Sequence, residues 1–310
     1  MKKVKAVAPY SHPGDLNFKL SPYEAWVKGG GLTAAAHYPP RLFHGLVFRW
    51  SLPPLWHDHR EARLRFVEPV SVTFDTFPDT ARYEVIPMVW DCWPRYFEKM
   101  CSWIKKHHVR TAIFTSSQTT ERIQERFPEL NVLYCPEAVD TSLYGGGKSL
   151  TEREIDVLEY GRSANVNLND SWDGIRYVCT KMNGKFIFNN DQLHELMGDA
   201  KITIALPRSV TQPEVAGDIE TLTQRYWENM LSRMVMIGHA PKELVELIGY
   251  NPVIELDRGH SNKQIFDIIA NIDDFQSLVD KNRETALRFG DWTLRMKKVM
   301  KFLQECGYEI

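Results

Sequence analysis

Two carboxylates and an arginine within residues 219–238 have a spacing that suits a nucleotide ligand. Glu220 and Glu228 lie eight positions apart, and Arg225 stands between them. If the segment is helical, this separation covers about 12 Å, or roughly two turns. That distance is comparable to the reach from a sugar ring across a diphosphate to a ribose. A carboxylate is also a good acceptor for ribose hydroxyls.

The start of such a helix adds a second kind of group, the free backbone N–H. These groups would belong to Thr221, Leu222 and Thr223, and together with the helix dipole they favour a diphosphate. Arg225 would either neutralise phosphate or pair with Glu228 at the i, i+3 spacing. A purely structural interpretation stays open, in which an amphipathic helix buries its apolar face and leaves its glutamates in solvent.

The elements that would position these groups alternate between strand and helix patterns. In the first part of the chain, short runs rich in β-branched residues predict strands, and segments with helical spacing separate the last three of them. The predicted strands are residues 4–8, 70–74, 85–90, 111–115 and 132–134. Strands that alternate with helices in this way indicate a parallel, doubly wound sheet.

Residues 135–154 contain a proline, three adjacent glycines and several polar residues, which predicts a linker. The alternation then restarts. Strands are predicted at 155–161, 184–190, 201–207, 234–238 and 251–257, helices at 172–182, 191–200, 219–231 and 240–249, and a helical tail from 263. We therefore predict a first domain over residues 1–143, a second over 144–290, and a carboxy-terminal helix, 291–310, that packs back on the first domain.

Charge and cysteine usage exclude several classes of protein. A net charge of −2 gives no electrostatic footprint of a dedicated nucleic-acid binder. The five cysteines are odd in number, scattered and without a C-x-x-C pair, which is typical of a reduced cytoplasmic protein that has neither a disulfide framework nor a structural zinc site. No apolar stretch reaches the roughly 18 residues needed to span a bilayer.

Aromatic and basic residues are interleaved in residues 41–60 and 90–108. Two interpretations stay open. The aromatic side chains can form core while the charges are solvated, which leaves a soluble acceptor. Alternatively, both stretches form an amphipathic surface that touches the membrane interface, where aromatic and lysine side chains are favoured. The second arrangement would suit a lipid-linked acceptor.

Several motifs resemble those of GT-B-fold glycosyltransferases of the group 1 type. The Glu-x7-Glu spacing, followed by a short helix, "MIG" and "APKELVELI", is similar to the carboxy-terminal half of that family. The segment "YCPEAVDTSLY" resembles its interdomain segment, and "IDVLEYGR" resembles its next strand, which ends in Gly-Arg. The resemblance implies an α/β fold of two Rossmann-like doubly wound domains facing a cleft (GT-B).

The resemblance also implies roles for individual side chains. Glu228 would hold the donor ribose, and Glu220 would lie near the hydroxyls of the transferred sugar. Arg162 would face the diphosphate from the carboxyl end of the first strand of the second domain.

Three glycines and two further residues complete the candidate site. Gly29, Gly30 and Gly31 resemble the glycine loop that lets the backbone approach the phosphates, although an ordinary turn explains them equally well. Arg208 is added on its charge and on its position after the predicted strand 201–207. Asp91 follows the predicted strand 85–90, where α/β sites lie, and would be a base or a ligand for the acceptor hydroxyl. The alternative for Asp91 is a helix cap.

The function implied by the resemblance is transfer of a sugar from a nucleotide diphosphate sugar to a hydroxyl acceptor, in the synthesis of a polysaccharide or glycoconjugate. It implies hexosyl transfer with retention of configuration, and a saccharide or lipid-linked acceptor. Helix N–H groups, Arg162 and Arg225 would stabilise the diphosphate leaving group, so we expect neither a metal nor a cofactor besides the donor. Two alternatives stay open: a non-catalytic binder of sugars or nucleotides, and a GT-B-shaped epimerase.

Overall fold

The structure is a computed structural model that describes residues 1–10, 18–38, 58–161, 174–179, 181–182, 185–186 and 190–310. The chain divides into two compact units. Unit 1 comprises Met1–Glu137, Glu214–Thr221 and Trp292–Ile310, and unit 2 comprises Ala138–Pro213 and Leu222–Asp291.

The strands fall into two parallel sheets and one short hairpin. They are β1 (Lys2–Val7), β2 (Leu32–Ala34), β3 (Glu61–Val67), β4 (Glu84–Val89), β5 (Thr111–Phe114), β6 (Asn131–Tyr134), β7 (Ile155–Glu159), β8 (Tyr177–Cys179), β9 (Lys181–Met182), β10 (Lys185–Phe186), β11 (Ala200–Ala205), β12 (Val235–Gly238), β13 (Val253–Glu255) and β14 (Tyr308–Glu309).

The helices connect these strands. They are α1 (Leu20–Lys28), α2 (Val72–Thr76), α3 (Asp79–Arg82), α4 (Pro94–Lys106), α5 (Ser117–Arg126), α6 (Asn190–Asp199), α7 (Arg208–Thr211), α8 (Pro213–Ala216), α9 (Gln224–Leu231), α10 (Lys242–Ile248), α11 (Ser261–Ala270), α12 (Gln276–Phe289) and α13 (Trp292–Glu305). Single 3-10 turns lie at Thr141–Leu143, Leu150–Glu152 and Ile272–Phe275.

Unit 1 is built on the larger sheet, in the order β14-β1-β3-β4-β5-β6, with β2 also paired to β1. Every residue of β4 is buried, as expected of a parallel strand that is covered on both faces. Helix α4 starts with Pro94 at its first position, where a missing N–H costs nothing. Its Met100 and Ile104 pack with Phe114 of β5 in the core of the unit.

Unit 2 is built on five parallel strands in the order β13-β12-β11-β7-β8. Ile202 at the centre pairs with Val157 on one side and with Val235 on the other, and all three are fully buried. Helix α9 buries Tyr226, Trp227 and Met230 in the core of this unit. The strands are all parallel, so their carboxyl ends lie at one edge of the sheet, and α9 begins near that edge because it leads into the amino end of β12.

Most predicted strands are confirmed, but two assignments are wrong and three strands were missed. Residues 72–76 form helix α2 rather than a strand, and Ser71 starts it by accepting the backbone N–H of Asp75 at 2.8 Å. The described part of the predicted helix 172–182 contains strands β8 and β9 instead. Strands β2, β3 and β14 were not predicted.

Candidate functional site

The carboxyl edge of the unit 2 sheet carries the candidate site. Tyr160 and Gly161 follow β7 there, Arg208 follows β11, and His239 follows β12. The ends of β11 and β12 lie so close that a Cβ on Gly238 would meet the Ala205 carbonyl oxygen at 1.9 Å. Only glycine fits at this position, so backbone atoms of β11 and β12 form the surface at this edge of the sheet.

Glu228 lies on α9 and is half-buried, with its carboxylate held by two tyrosines. The Tyr144 hydroxyl donates to Oε1 at 3.3 Å, and the Tyr160 hydroxyl is 3.1 Å from Oε2. The Tyr160 hydroxyl also lies 2.6 Å from Oδ1 of Asn229, which is fully buried. These contacts place one phenol on each carboxylate oxygen.

Burial dominates the electrostatics of this cluster. It raises the pKa of Glu228, while the Tyr160 hydrogen bond, the Arg225 charge, the Tyr144 hydrogen bond and the His194 charge act in the opposite direction. Burial also raises the pKa of Tyr144 and Tyr160, and the Glu228 carboxylate adds to the effect, so both phenols stay protonated donors near neutral pH.

Arg225 lies across the carboxyl end of β7. Its guanidinium carbon is 5.6 Å from the centre of the Tyr160 ring. Gly161 has φ +78°, and a Cβ there would lie 2.3 Å from Arg225 Nη2. Gly161 therefore favours the left-handed backbone and leaves the space that the guanidinium fills.

A second buried carboxylate lies beside this arginine. Glu159 ends β7, is 5% exposed, and accepts a hydrogen bond from the Tyr177 hydroxyl at 2.5 Å. Burial raises its pKa, whereas the Tyr177 hydrogen bond and the Arg225 charge lower it. Sequence inspection missed Glu159, Tyr144, Tyr160 and His194. The two tyrosines sit inside quoted motifs, but nothing in their spacing indicates that they converge on Glu228.

The structure corrects the geometry expected for the two glutamates. Helix α9 begins at Gln224 with Thr223 as its cap, so Glu220 precedes the helix and the helical spacing of about 12 Å does not apply. The Leu222 N–H is not a free helix-terminal group either, because it donates to Glu243 Oε2 at 2.9 Å. Glu220 and Thr221 belong to unit 1, whereas Glu228 belongs to unit 2.

Contacts within unit 1 explain why the helix starts late. The Glu220 N–H donates to Gln118 Oε1 at 2.8 Å, and Arg122 Nη2 donates to both carboxylate oxygens of Asp218 at 2.8 and 2.9 Å. Ile219 packs with Trp93 in a small apolar cluster. These tertiary contacts hold residues 217–221 near α5 and outside helix α9.

Two further arginines, Arg208 and Arg162, were predicted to belong to the site. Arg208 is half-buried at the start of α7, and its Nε donates to Gln212 Oε1 at 2.9 Å. It therefore lies at the carboxyl edge of the unit 2 sheet. Arg162 lies outside the described residues.

Asp91 follows β4 at the carboxyl edge of the unit 1 sheet and has φ +51°. Its carbonyl oxygen accepts the N–H of Trp93 at 2.8 Å, just ahead of α4. A non-glycine residue in the left-handed region costs of order 1 kcal/mol or more and is a feature that clusters at functional sites. Asp91 is also not the cap residue of α4, because Trp93 occupies that position.

The three glycines do not form a phosphate loop at the carboxyl edge. Gly29 caps the carboxyl end of α1, Gly30 takes φ +88° there, and the chain continues into the amino end of β2. A Cβ on Gly31 would lie 2.3 Å from the Trp26 ring. These glycines end a helix at the opposite edge of the sheet, where the helix dipole disfavours an anion, so their expected placement is wrong.

Of the two interpretations that stayed open for residues 90–108, the structure supports core positions for the tryptophans. Trp90, Trp93 and Trp103 are at most 4% exposed and form core, whereas Lys105 and Lys106 are exposed. The other stretch, 41–60, falls almost entirely outside the described residues. Among the described residues, no helix is long and apolar enough to cross a membrane, and no group of three or more metal-ligating side chains occurs.

No protein-family model matches the chain, and no curated protein matches it. Solved structures match in fold. Sucrose-phosphate synthase from Thermosynechococcus elongatus is 10% identical with a TM-score of 0.61, and the match covers 99% of each chain. HepE from Anabaena, in complex with UDP and glucose, is 11% identical with a TM-score of 0.59, over 98% of this chain and 100% of that one.

AviGT4, a glycosyltransferase involved in avilamycin A biosynthesis, is 12% identical with a TM-score of 0.55, over 99% of this chain and 98% of that one. The chain has the GT-B fold. This confirms the predicted fold of two Rossmann-like α/β domains, because each unit contains a parallel sheet and the fold match covers nearly the whole chain. Within this fold, the Glu228 cluster lies at the carboxyl edge of the unit 2 sheet.

Proposed function

We propose that this protein is a glycosyltransferase that moves a sugar from a nucleotide diphosphate sugar to a hydroxyl acceptor. The observation that carries the proposal is the Glu228 carboxylate, held by Tyr144 and Tyr160 beside Arg225 at the carboxyl edge of a parallel sheet. A fixed carboxylate suits ribose hydroxyls, and a neighbouring guanidinium suits a diphosphate. The fold match to HepE, which was solved with UDP and glucose, supports the same ligand class.

The chemistry would form a bond between the acceptor oxygen and the anomeric carbon and break the bond from that carbon to the diphosphate oxygen. The leaving diphosphate gains negative charge as the bond breaks. Arg225, together with the amino terminus of α9, would stabilise that charge in a partly desolvated site, which does not require a metal ion. We propose hexosyl transfer with retention of configuration on the resemblance alone. In unit 1, Asp91 is the proposed base or ligand for the acceptor hydroxyl.

The acceptor is proposed to be a saccharide or a lipid-linked saccharide in polysaccharide or glycoconjugate synthesis, on the cytoplasmic side of a membrane. We propose that peripheral membrane contact, where it occurs, is electrostatic. Lys105 and Lys106 are exposed at the end of α4 while the tryptophans of that segment are buried. Basic residues near an anionic surface contribute about 1 kcal/mol each.

Product analysis tests the activity. The protein is incubated with UDP-, GDP- and ADP-sugars with and without saccharide acceptors, and free nucleoside diphosphate is measured. Release that depends on an acceptor marks a transferase. A new nucleotide sugar without release would indicate an epimerase, and binding without any turnover would indicate a non-catalytic binder.

Binding is tested with Glu228→Ala and a matched control, Glu246→Ala. Glu246 lies on α10 of the same unit with 65% of its side chain exposed. Loss of a charged hydrogen bond to the ribose costs about 1.5–3 kcal/mol, so Glu228→Ala should weaken nucleoside diphosphate binding roughly tenfold to a hundredfold. Calorimetry that finds equal affinity for both variants would remove the ribose role.

A further inference from the structure

The carboxylate of Glu228 is held from two directions by residues that are distant in the sequence. Tyr144 lies 84 positions away, just after a 3-10 turn, and Tyr160 lies 68 positions away, after β7. Both phenol rings are buried, at 8% and 7% exposure. Each carboxylate oxygen therefore receives one hydroxyl and keeps further lone pairs for other donors.

The orientation of the Asn229 side-chain amide determines which group accepts the hydrogen bond from the Tyr160 hydroxyl. Asn229 is fully buried, and its Nδ2 has no hydrogen-bond partner among the described residues. A buried amide N–H without an acceptor is costly, and the two ends of an amide group have nearly the same shape. With the amide turned end for end, Nδ2 donates to the Tyr160 oxygen across the 2.6 Å contact. Of the two remaining acceptors, Glu228 Oε2 at 3.1 Å is nearer to the Tyr160 hydroxyl than the Arg225 carbonyl oxygen at 3.4 Å. The Tyr160 proton then goes to Glu228, which completes a chain of donors from Asn229 through Tyr160 to the carboxylate.

Within the part of the chain that the structure describes, two charged or titratable side chains besides the tyrosines face Glu228. Arg225 lies one helical turn away and over the Tyr160 ring, and His194 of α6 packs against the Tyr144 ring with centroids 4.8 Å apart. Arg225 and His194 lower the pKa of Glu228, as do the hydrogen bonds from the two phenols. The orientation of the carboxylate is therefore set by the tyrosines, while Arg225 and His194 contribute charge.

We propose that Tyr144 and Tyr160 are positioning residues that orient the Glu228 carboxylate toward the two ribose hydroxyls, and so make the site selective for nucleotides with a 2′,3′-diol over those without it. This inference rests on the proposed function. A carboxylate with one lone pair per oxygen occupied by a fixed donor cannot rotate freely, so its remaining lone pairs point in a set direction. A diol that meets this direction gains two charge-assisted hydrogen bonds, whereas a sugar without hydroxyls gains none.

The test compares Tyr144→Phe, Tyr160→Phe and Glu228→Gln with Tyr250→Phe as the matched control. Tyr250 is a half-buried tyrosine of the same unit whose hydroxyl donates to Asn282 Oδ1 at 2.8 Å, away from Glu228. Calorimetric titrations use UDP, ADP and GDP and the 2′,3′-dideoxy form of each. Thermal unfolding of every variant confirms that the phenylalanine ring preserves the packing.

Each site variant should bind the ribonucleoside diphosphate about tenfold more weakly and the dideoxy form as well as the wild type does. In the Glu228→Gln background, a Tyr160→Phe change should add little, because the two residues act as one unit. Equal loss for both ligands, or no loss in either Tyr→Phe variant while Glu228→Gln loses affinity, would overturn the positioning role alone. Failure of every nucleotide to bind the wild type would overturn the proposed function itself.

The pH profile supplies a readout that packing alone would not move. Ionised Glu228 accepts hydrogen bonds from the diol, so affinity should fall as acidification protonates it. The Tyr160 hydroxyl stabilises the ionised form, and its removal should shift this fall to a higher pH. An unchanged midpoint in Tyr160→Phe would contradict the hydrogen bond from Tyr160 to Glu228.

Discussion

Replacement of Gly161 by alanine should disable Arg225 without unfolding unit 2. A Cβ at this position would lie 2.3 Å from Nη2 of Arg225, at the flexible end of that side chain. Ordinary contact between such atoms needs about 3.5 Å, so the guanidinium must move by roughly 1 Å or more. The movement itself is inexpensive, because only the end of a long side chain shifts. The arginine, however, no longer lies across the end of β7.

Gly249→Ala is the matched control in the same unit. Gly249 ends α10 with φ +82°, close to the φ of +78° at Gly161, and no described residue lies within 4 Å of the Cβ that it would gain. An L-residue in the left-handed region costs roughly 1–2 kcal/mol at either position. The two variants should therefore lose similar free energies of unfolding in urea, and only Gly161→Ala should displace Arg225.

Calorimetric titration with UDP, ADP and GDP measures the consequence. A charged hydrogen bond to phosphate contributes about 1.5–3 kcal/mol, so Gly161→Ala should weaken binding by roughly tenfold to a hundredfold. Gly249→Ala should bind as the wild type does. If both variants keep wild-type affinity, Arg225 does not meet the phosphates. If Gly161→Ala loses several kcal/mol more stability than Gly249→Ala, the reasoning that the contact is soft is refuted.

Three further predictions concern metal independence, membrane contact and stability. Turnover should survive EDTA, since the proposed leaving-group stabilisation is cationic, and complete loss that Mn²⁺ or Mg²⁺ restores would contradict this. Binding to anionic vesicles should fall with salt and with Lys105→Glu plus Lys106→Glu in a co-sedimentation assay, and binding that persists in high salt would contradict an electrostatic contact. Arg153 is 3% exposed and donates to four backbone carbonyls at 2.6–3.0 Å. Arg153→Met should therefore lower the free energy of unfolding by about 3 kcal/mol or more. The control Arg176→Met, at an exposed ion pair, should change it by less than about 0.5 kcal/mol.

Local patterns predicted some of the strands that are buried on both faces. Strands β4 and β5 are short, almost entirely apolar runs, as is typical of a parallel strand between two helical layers. Strand β3 is almost equally buried but carries Glu61, Arg63 and Arg65, and its charged residues hid it from the same reasoning. Helix α2 shows where this reasoning fails. The run that predicted a strand at 70–74 is also compatible with a buried helix, and a tertiary contact from Arg65 to the carbonyl of Asp75 accompanies the helical choice.

The sequence by itself determined the parallel α/β class and the presence of Glu228 and Arg225 on one helix, because these follow from local periodicity and composition. Only the tertiary structure decided what surrounds them. Residues 214–221 are held by unit 1, so Glu220 leaves the helix that its spacing predicted. Tyr144 and Tyr160 meet on one carboxylate although 84 and 68 positions, respectively, separate them from it. Such long-range convergence is set by how the strands pack, and no short-range pattern records it.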